Sequence, residues 1–162
     1  MTFAIDATHD TENLTMTVVA QLDATPERVW QLWADPRQLE RWWGPPTYPA
    51  TFTQHDLVVG STTAYHMTSP EGDTVPGWWV ITAVDEPRSL ELRDGFAEGD
   101  GTPDETMPIT SMRMTLEPAE GGTRMTLVSH FDSLEGMEKL IAMGMKEGMT
   151  LAMGQIEAIL AN

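Results

Sequence analysis

Between residues 51 and 131 the chain reads as six strand-like segments separated by turn residues, with no helical pattern among them. Successive strands joined by short turns pair antiparallel, because a parallel pair needs a long crossover. The segments fall at 51–57, 62–67, 78–84, 90–96, 109–117 and 123–131. Turn chemistry separates them: Gly60, Ser69-Pro70-Glu71-Gly72, Glu86-Pro87 and Gly121-Gly122. The last two alternate most cleanly. Met112, Met114 and Leu116 alternate with Arg113 and Thr115, and Met125, Leu127 and Phe131 with Arg124, Thr126 and His130. One face of the sheet is therefore expected to be buried and the other wet.

A further strand is expected at 14–22, with its apolar residues mostly at even positions. Thr25-Pro26-Glu27 then supplies an N-cap, a proline for the first helical position and an acid for the positive end of the dipole. Asp35-Pro36 repeats the signal, so two short helices are expected, the second ending at Gly44-Pro45-Pro46. At the other end Asp132-Ser133-Leu134-Glu135 opens a long helix over 134–160. Met137, Ile141, Met145, Met149, Ala152, Ile156 and Ile159 share one face of it. Gly136, Gly144, Gly148 and Gly154 weaken it, which suggests a close approach to its backbone or room left beside it.

The expected class is α+β: a curved antiparallel sheet of about six to seven strands around one long C-terminal helix, with an apolar pocket between them. The length, 162 residues, suits one domain over 1–162, with 1–13 a poorly ordered segment. The stretch 94–105 carries five acids and three glycines and reads as a mobile loop, a lid over one end of the pocket.

Net charge is −16. That leaves no basic footprint for nucleic acid and disfavours an anionic membrane surface. No run approaches the ~20 apolar residues of a membrane helix, so no membrane insertion is expected. Cysteine is absent, which removes disulfides and thiol chemistry and fits a reducing cytoplasm. The first fourteen residues have no apolar run behind a basic start, so no signal peptide is expected. A homodimer is the default for a soluble protein.

The strand–two helices–strands–helix order is that of the helix-grip fold. Ala24-Thr25-Pro26-Glu27-Arg28-Val29-Trp30, followed by Trp42-Trp43-Gly44-Pro45, resembles the opening of the SRPBCC superfamily. More narrowly it resembles the START-like branch related to the C-terminal domain of the heat-shock ATPase activator. Val84-Asp85-Glu86-Pro87 with Leu90, Gly121-Gly122-Thr123-Arg124-Met125-Thr126 and Glu147-Gly148-Met149 match that branch as well, although members usually carry Trp at the position of Met149. The resemblance runs from Leu14 onward and implies the fold far more sharply than the function, because its motifs are caps, turns and core aromatics. Members include lipid and hormone carriers and aromatase/cyclases.

The pocket is expected to draw on Trp42 and Trp43 at the helix end, on Tyr65, Met67 and Trp79 of the middle strands, and on Leu92 and Phe96 of the next. Met112, Met114, Met125 and Leu127 of the last two strands, and Ile141, Met145 and Met149 of the helix, complete the set. Methionine is flexible and polarisable and suits an adaptable apolar wall, though it fills ordinary cores equally well. Trp78 and Trp79 must face opposite sides of their strand, and Trp79 is favoured for the inside. An exposed tryptophan at the other position would mark a dimer contact.

No metal-ligand spacing, nucleophile elbow or phosphate loop is present, so neither metal nor cofactor is expected. Three readings follow. The first is a binding module for an apolar small molecule: a lipid, an aromatic or a polyketide-like compound. The second is a cyclase or dehydratase acting on a ligand held in the same cavity, with Tyr65 and His130 as the catalytic suspects. The third is a protein-interaction domain of co-chaperone type, by analogy with the activator branch.

Overall fold

The computed structural model describes residues 4–161. Eight strands form one antiparallel sheet: β1 (Ala4–Asp10), β2 (Thr15–Leu22), β3 (Ala50–Gln54), β4 (Thr62–Thr68), β5 (Thr74–Asp85), β6 (Ser89–Phe96), β7 (Thr110–Ala119) and β8 (Gly122–Phe131). Their order across the sheet is β1-β2-β8-β7-β6-β5-β4-β3. The fold is the helix-grip arrangement, with a strand more than the sequence suggests. The addition is β1, which pairs with β2 from Ala4↔Gln21 to Asp10↔Thr15. Its sequence, Ala-Ile-Asp-Ala-Thr-His-Asp, is too polar to read as a strand. It lies at the sheet edge, where one side of the backbone has no neighbour to satisfy.

The two short helices are α1 (Pro26–Ala34) and α2 (Pro36–Leu39). Both begin as their caps dictate. Thr25 Oγ1 accepts from the Arg28 N–H at 3.2 Å, and Asp35 Oδ1 from the Arg37 N–H at 2.9 Å. Val29, Trp30, Leu32 and Trp33 of α1 are all buried, and the helix packs on β7 and β8. α2 seals the far sheet edge. Arg37 donates to the Phe52 carbonyl at 2.7 Å, and Glu40 Oε1 accepts from the Phe52 N–H at 3.1 Å. Both outward backbone polar groups of that edge residue are thereby occupied.

The C-terminal element is not one helix but three: α3 (Leu134–Ala142), α4 (Met145–Met153) and α5 (Ile156–Leu160). The first break falls at Gly144, whose φ of +92° lies in the left-handed region that ends helices. The second falls at Gly154-Gln155. Two of the four glycines therefore act as interruptions. Of the others, Gly136 packs against Pro108 and Ser133, while a Cβ on Gly148 would meet nothing within 4 Å. α3 lies against β8, and α4 against β1 and β2.

Ser133 caps α3, its Oγ accepting from the Gly136 N–H at 3.0 Å. Ser133→Ala is expected to cost about 1 kcal/mol of stability, read as a lower urea midpoint at unchanged slope.

The inner face of the sheet carries the core in strict alternation. Met16, Val18, Ala20 and Leu22 of β2 are buried, as are Met112, Met114 and Leu116 of β7 and Met125, Leu127 and Phe131 of β8. Trp79 points inward and is fully buried. Trp78 lies on the outer face across the bare backbone of Gly95, its Nε1 donating to the Phe96 carbonyl at 2.8 Å. That indole is half-buried and covers a glycine of its own sheet.

Candidate functional site

A chain of aromatic rings runs through the interior from α1 to the middle strands. Trp33 meets Trp42 edge-on at 4.9 Å between centroids, and Trp43 meets Trp79 at 4.8 Å. Tyr65 stacks on Phe52 at 5.0 Å and meets Trp43 edge-on at 6.3 Å. Polar handles lock several of these rings. The Trp42 indole donates to the Leu32 carbonyl at 3.0 Å, and the Trp33 indole to the Met125 sulfur at 3.4 Å. His55, which sequence reasoning did not single out, bridges Thr63 Oγ1 at 3.0 Å and the Trp33 carbonyl at 2.6 Å. The carbonyl can only accept, so Nε2 carries the proton, and burial holds the imidazole below its usual pKa and neutral.

Where this chain of rings meets α3 and α4 the packing opens into a cavity of about 230 Å³. Its walls come from six places. The loop after α2 gives Trp43 and Pro45, β4 gives Tyr65 and Met67, and β5 gives Val75, Pro76 and Gly77. β6 gives Asp94, Gly95 and Phe96, and the start of β7 and the loop before it give Thr110 and Pro108. The helices close it with Leu140 of α3, Met143 and Gly144 of the break, and Met145, Gly148 and Met149 of α4. Gln155, at the junction of α4 and α5, ties the C-terminal helices to the loop after α2, its side-chain amide donating to the Gly44 carbonyl at 2.7 Å.

One polar pair interrupts this apolar lining. Tyr65 on β4 lies opposite Gly77 on β5, and a Cβ at Gly77 would overlap the tyrosine ring. The bare glycine lets the ring lie flat across β5 and reach β6, where its hydroxyl donates to Asp94 Oδ1 at 2.9 Å. Asp94 is itself the cross-strand partner of Trp79. Burial pushes its carboxyl up to about 7, although the Tyr65 hydroxyl and the nearby Trp79 indole favour the anion. Burial, and then the neighbouring carboxylate, hold the Tyr65 phenol well above its usual value. The Trp79 N–H lies close enough to help the anion yet makes no well-formed hydrogen bond, and the Trp43 N–H is likewise buried without a partner. Such donors each cost about 1–3 kcal/mol.

Of the residues that the sequence nominates, Trp43, Tyr65, Met67, Phe96, Met145 and Met149 are brought together around this cavity. Trp42, Trp79 and Leu92 lie in the solid core beside it. Met112, Met114, Met125 and Leu127 are buried in the core on β7 and β8, the strands on which α1 packs, and none of them reaches the cavity. They share the inward parity of the lining residues, but α1 packs on their two strands, with Trp33 against Met125. Ile141 is half-buried against the core at the side of α3. His130 is exposed on the outer face, opposite Thr15 and Ser111, and has no access to the interior.

Asp94 is the residue that the sequence reading missed. Its signal was present: it shares the parity of Leu92 and Phe96. The surrounding acids and glycines made 94–105 read as a loop. The strand runs through Phe96, as the segment 90–96 predicts, so only the overlapping loop assignment of 94–96 fails; the irregular part begins at Ala97, which bridges to Pro103. Asp100 and Asp104 there bind Thr102 and Thr106 in local turns rather than lying over the cavity.

Comparison with known proteins decides the family. Residues 23–161 match the family described as Activator of Hsp90 ATPase homolog 1-like protein. The chain belongs to that family. A protein from Arthrobacter aurescens, solved by NMR, is similar to this activator-homologue-like chain at 49% identity and a TM-score of 0.92, over 96% of this chain and 91% of that one. A crystal structure from Mycobacterium smegmatis is similar at 43% identity and a TM-score of 0.89, over 98% and 97%. The AHSA1 protein from Silicibacter pomeroyi, at 22% identity and a TM-score of 0.72 over 91% and 97%, shares the fold. No curated protein matches the sequence. The family's helix-grip domains are ligand-binding in general. Among the described residues no helix is long and apolar enough to cross a membrane.

Proposed function

We propose that this activator-homologue-like protein binds a small, largely apolar molecule in the cavity between β4–β6 and the broken C-terminal helix. One observation carries the reading. About 230 Å³ of space is walled by aromatic rings, prolines and methionines, with a single polar pair at Tyr65 and Asp94. That is the composition of a small-molecule site: an apolar enclosure with few polar groups to orient the guest. The volume lies just under the range of drug-sized sites, which favours a compact aromatic over a long lipid or an extended polyketide. The methionines around the Gly144 break give that wall adaptable side chains.

Native mass spectrometry of the protein as purified, followed by denaturing extraction, tests this directly. A stoichiometric apolar guest is the expected result. Gly148→Leu is the matching variant, because the position lines the cavity and has open space above it. Leucine there is expected to fill the cavity and remove the guest. It should also leave the melting temperature unchanged or raised, since an interior glycine costs a helix about 1 kcal/mol. A guest that stays bound to Gly148→Leu at full stoichiometry would place the site elsewhere.

A second reading, a cyclase or dehydratase using the same cavity, gains support from the Tyr65–Asp94 pair. A carboxyl poised near neutrality beside a phenol is a serviceable acid–base couple. Turnover of a bound guest that Asp94→Asn abolishes would carry that reading.

A further inference from the structure

Among the described residues, the carboxyl of Asp94 has no cationic partner. Among the residues lining the cavity there is no Lys, Arg or His, and the only other titratable group is Tyr65. The neighbouring Arg93 is committed to the opposite face, where it donates to Ser111 Oγ at 2.6 Å and to Asp132 at 3.1 Å. A carboxylate taken out of water stays ionised at low cost only when a counter-charge reaches it. Here the half-buried carboxyl either keeps its proton or takes a counter-charge that arrives with the guest. Around it stand three rings that line the same space, Trp43, Tyr65 and Phe96, and indole and phenol rings attract cations through their quadrupoles. An anionic guest would meet both this carboxylate and a chain of net charge −16. A neutral guest would be met by the protonated carboxyl and would gain nothing from its charge.

We infer that the cavity selects an apolar molecule bearing a protonated amine, its ammonium seated between the Asp94 carboxylate and the aromatic rings and its apolar body along Met145 and Met149. This rests on the reading of the cavity as a ligand site. The pH dependence follows from the groups present. Ammonium binding requires the Asp94 anion, and burial holds that carboxyl up to about 7. Affinity therefore rises with pH through neutrality and levels off above it, well below the ~10 at which a simple amine loses its proton. The other elements facing Asp94 add no charge: β5 contributes Val75, Pro76 and Gly77, β7 contributes Thr110, and α3 and α4 contribute Leu140, Gly148 and the two methionines. Tyr65 stays protonated as the donor to the carboxylate.

Isothermal titration with 2-phenylethylamine, 2-phenylethanol and phenylacetate, three guests of matched shape, tests the inference at pH 6 and pH 8.5. The amine is expected to bind at least about tenfold tighter than the alcohol at pH 8.5, with phenylacetate weakest, since a charge-assisted bond is about twice as strong as a neutral one. At pH 6 only about a tenth of the Asp94 carboxyls are ionised, so the amine should bind roughly tenfold more weakly than at pH 8.5, while the alcohol changes little. In Asp94→Asn, nearly the same shape without the charge, the amine should lose both its advantage and its pH dependence. An alcohol as tight as the amine at pH 8.5, or a preference that survives in Asp94→Asn, overturns the inference and leaves the cavity as a ligand site. If none of the three binds at millimolar concentration the inference also falls, and the co-purification experiment decides the cavity by itself.

Discussion

Asp94→Asn is expected to stabilise the folded protein at pH 8 by roughly 2–4 kcal/mol and to do almost nothing at pH 4. An unfolded aspartate ionises near 3.8, whereas burial holds this one up to about 7 in the fold. Between those values the native state keeps a proton that the unfolded state has released. Stability contributed by this site therefore falls as pH rises from about 4, and the loss is complete above about 7. Asparagine preserves the acceptor for the Tyr65 hydroxyl and removes the charge. Paired urea titrations of the wild type and the variant across pH 4 to 8.5 isolate the effect, because every other carboxylate cancels in the difference. A difference independent of pH would mean that Asp94 is solvated as an ordinary surface acid.

Trp79→Ala is expected to have the largest effect among single substitutions, a loss of about 3–5 kcal/mol. Trp79 is fully buried and is the common neighbour of Trp33, Trp43, Phe52, His55 and Tyr65, at centroid distances of 4.8–6.2 Å. Removing it leaves a void in the middle of the aromatic chain and withdraws the wall against which Tyr65 and Trp43 are set. For a domain of this length the melting temperature should drop by roughly 10 °C. Trp79→Phe should cost distinctly less, since it keeps a ring and eliminates an indole N–H that is buried without a partner. Equal losses for the two variants would show that ring packing is not what the position contributes.

The fold was legible from residues that act locally. Thr25, Asp35 and Ser133 cap the helices that their sequence announces, because a cap depends only on three neighbouring residues. Strand parity likewise placed Met112 and Met125 inside, and it set His130 on the wet face, against its nomination as a catalytic suspect. The cavity was less legible, because parity says that a residue faces inward but not what lies opposite. Met145 and Met125 are alike in sequence terms, yet one meets open space and the other meets Trp33 of α1. Asp94 was obscured by composition: a carboxylate among glycines suggests a loop, and only the three-dimensional register sets it beneath Tyr65. Gly144 carries the same ambiguity. A glycine within an amphipathic pattern weakens a helix by about 1 kcal/mol without ending it, and only its left-handed φ turns it into a break.

That break separates two properties that an unbroken helix would bind together. In a continuous helix the inner-face side chains keep one fixed rotation and rise, so tilting or turning the helix at one end moves all of them together. With α3 and α4 meeting at Gly144, each segment packs on its own strands, α3 on β8 and α4 on β1 and β2, and each contributes separately to the chamber wall. Divergence of guest size among relatives then requires changes only around the joint, at Met143, Met145 and Gly148, while the eight-stranded sheet and its aromatic interior stay as they are. The joint is thus the place where the chamber wall can change without a matching change along a whole helix.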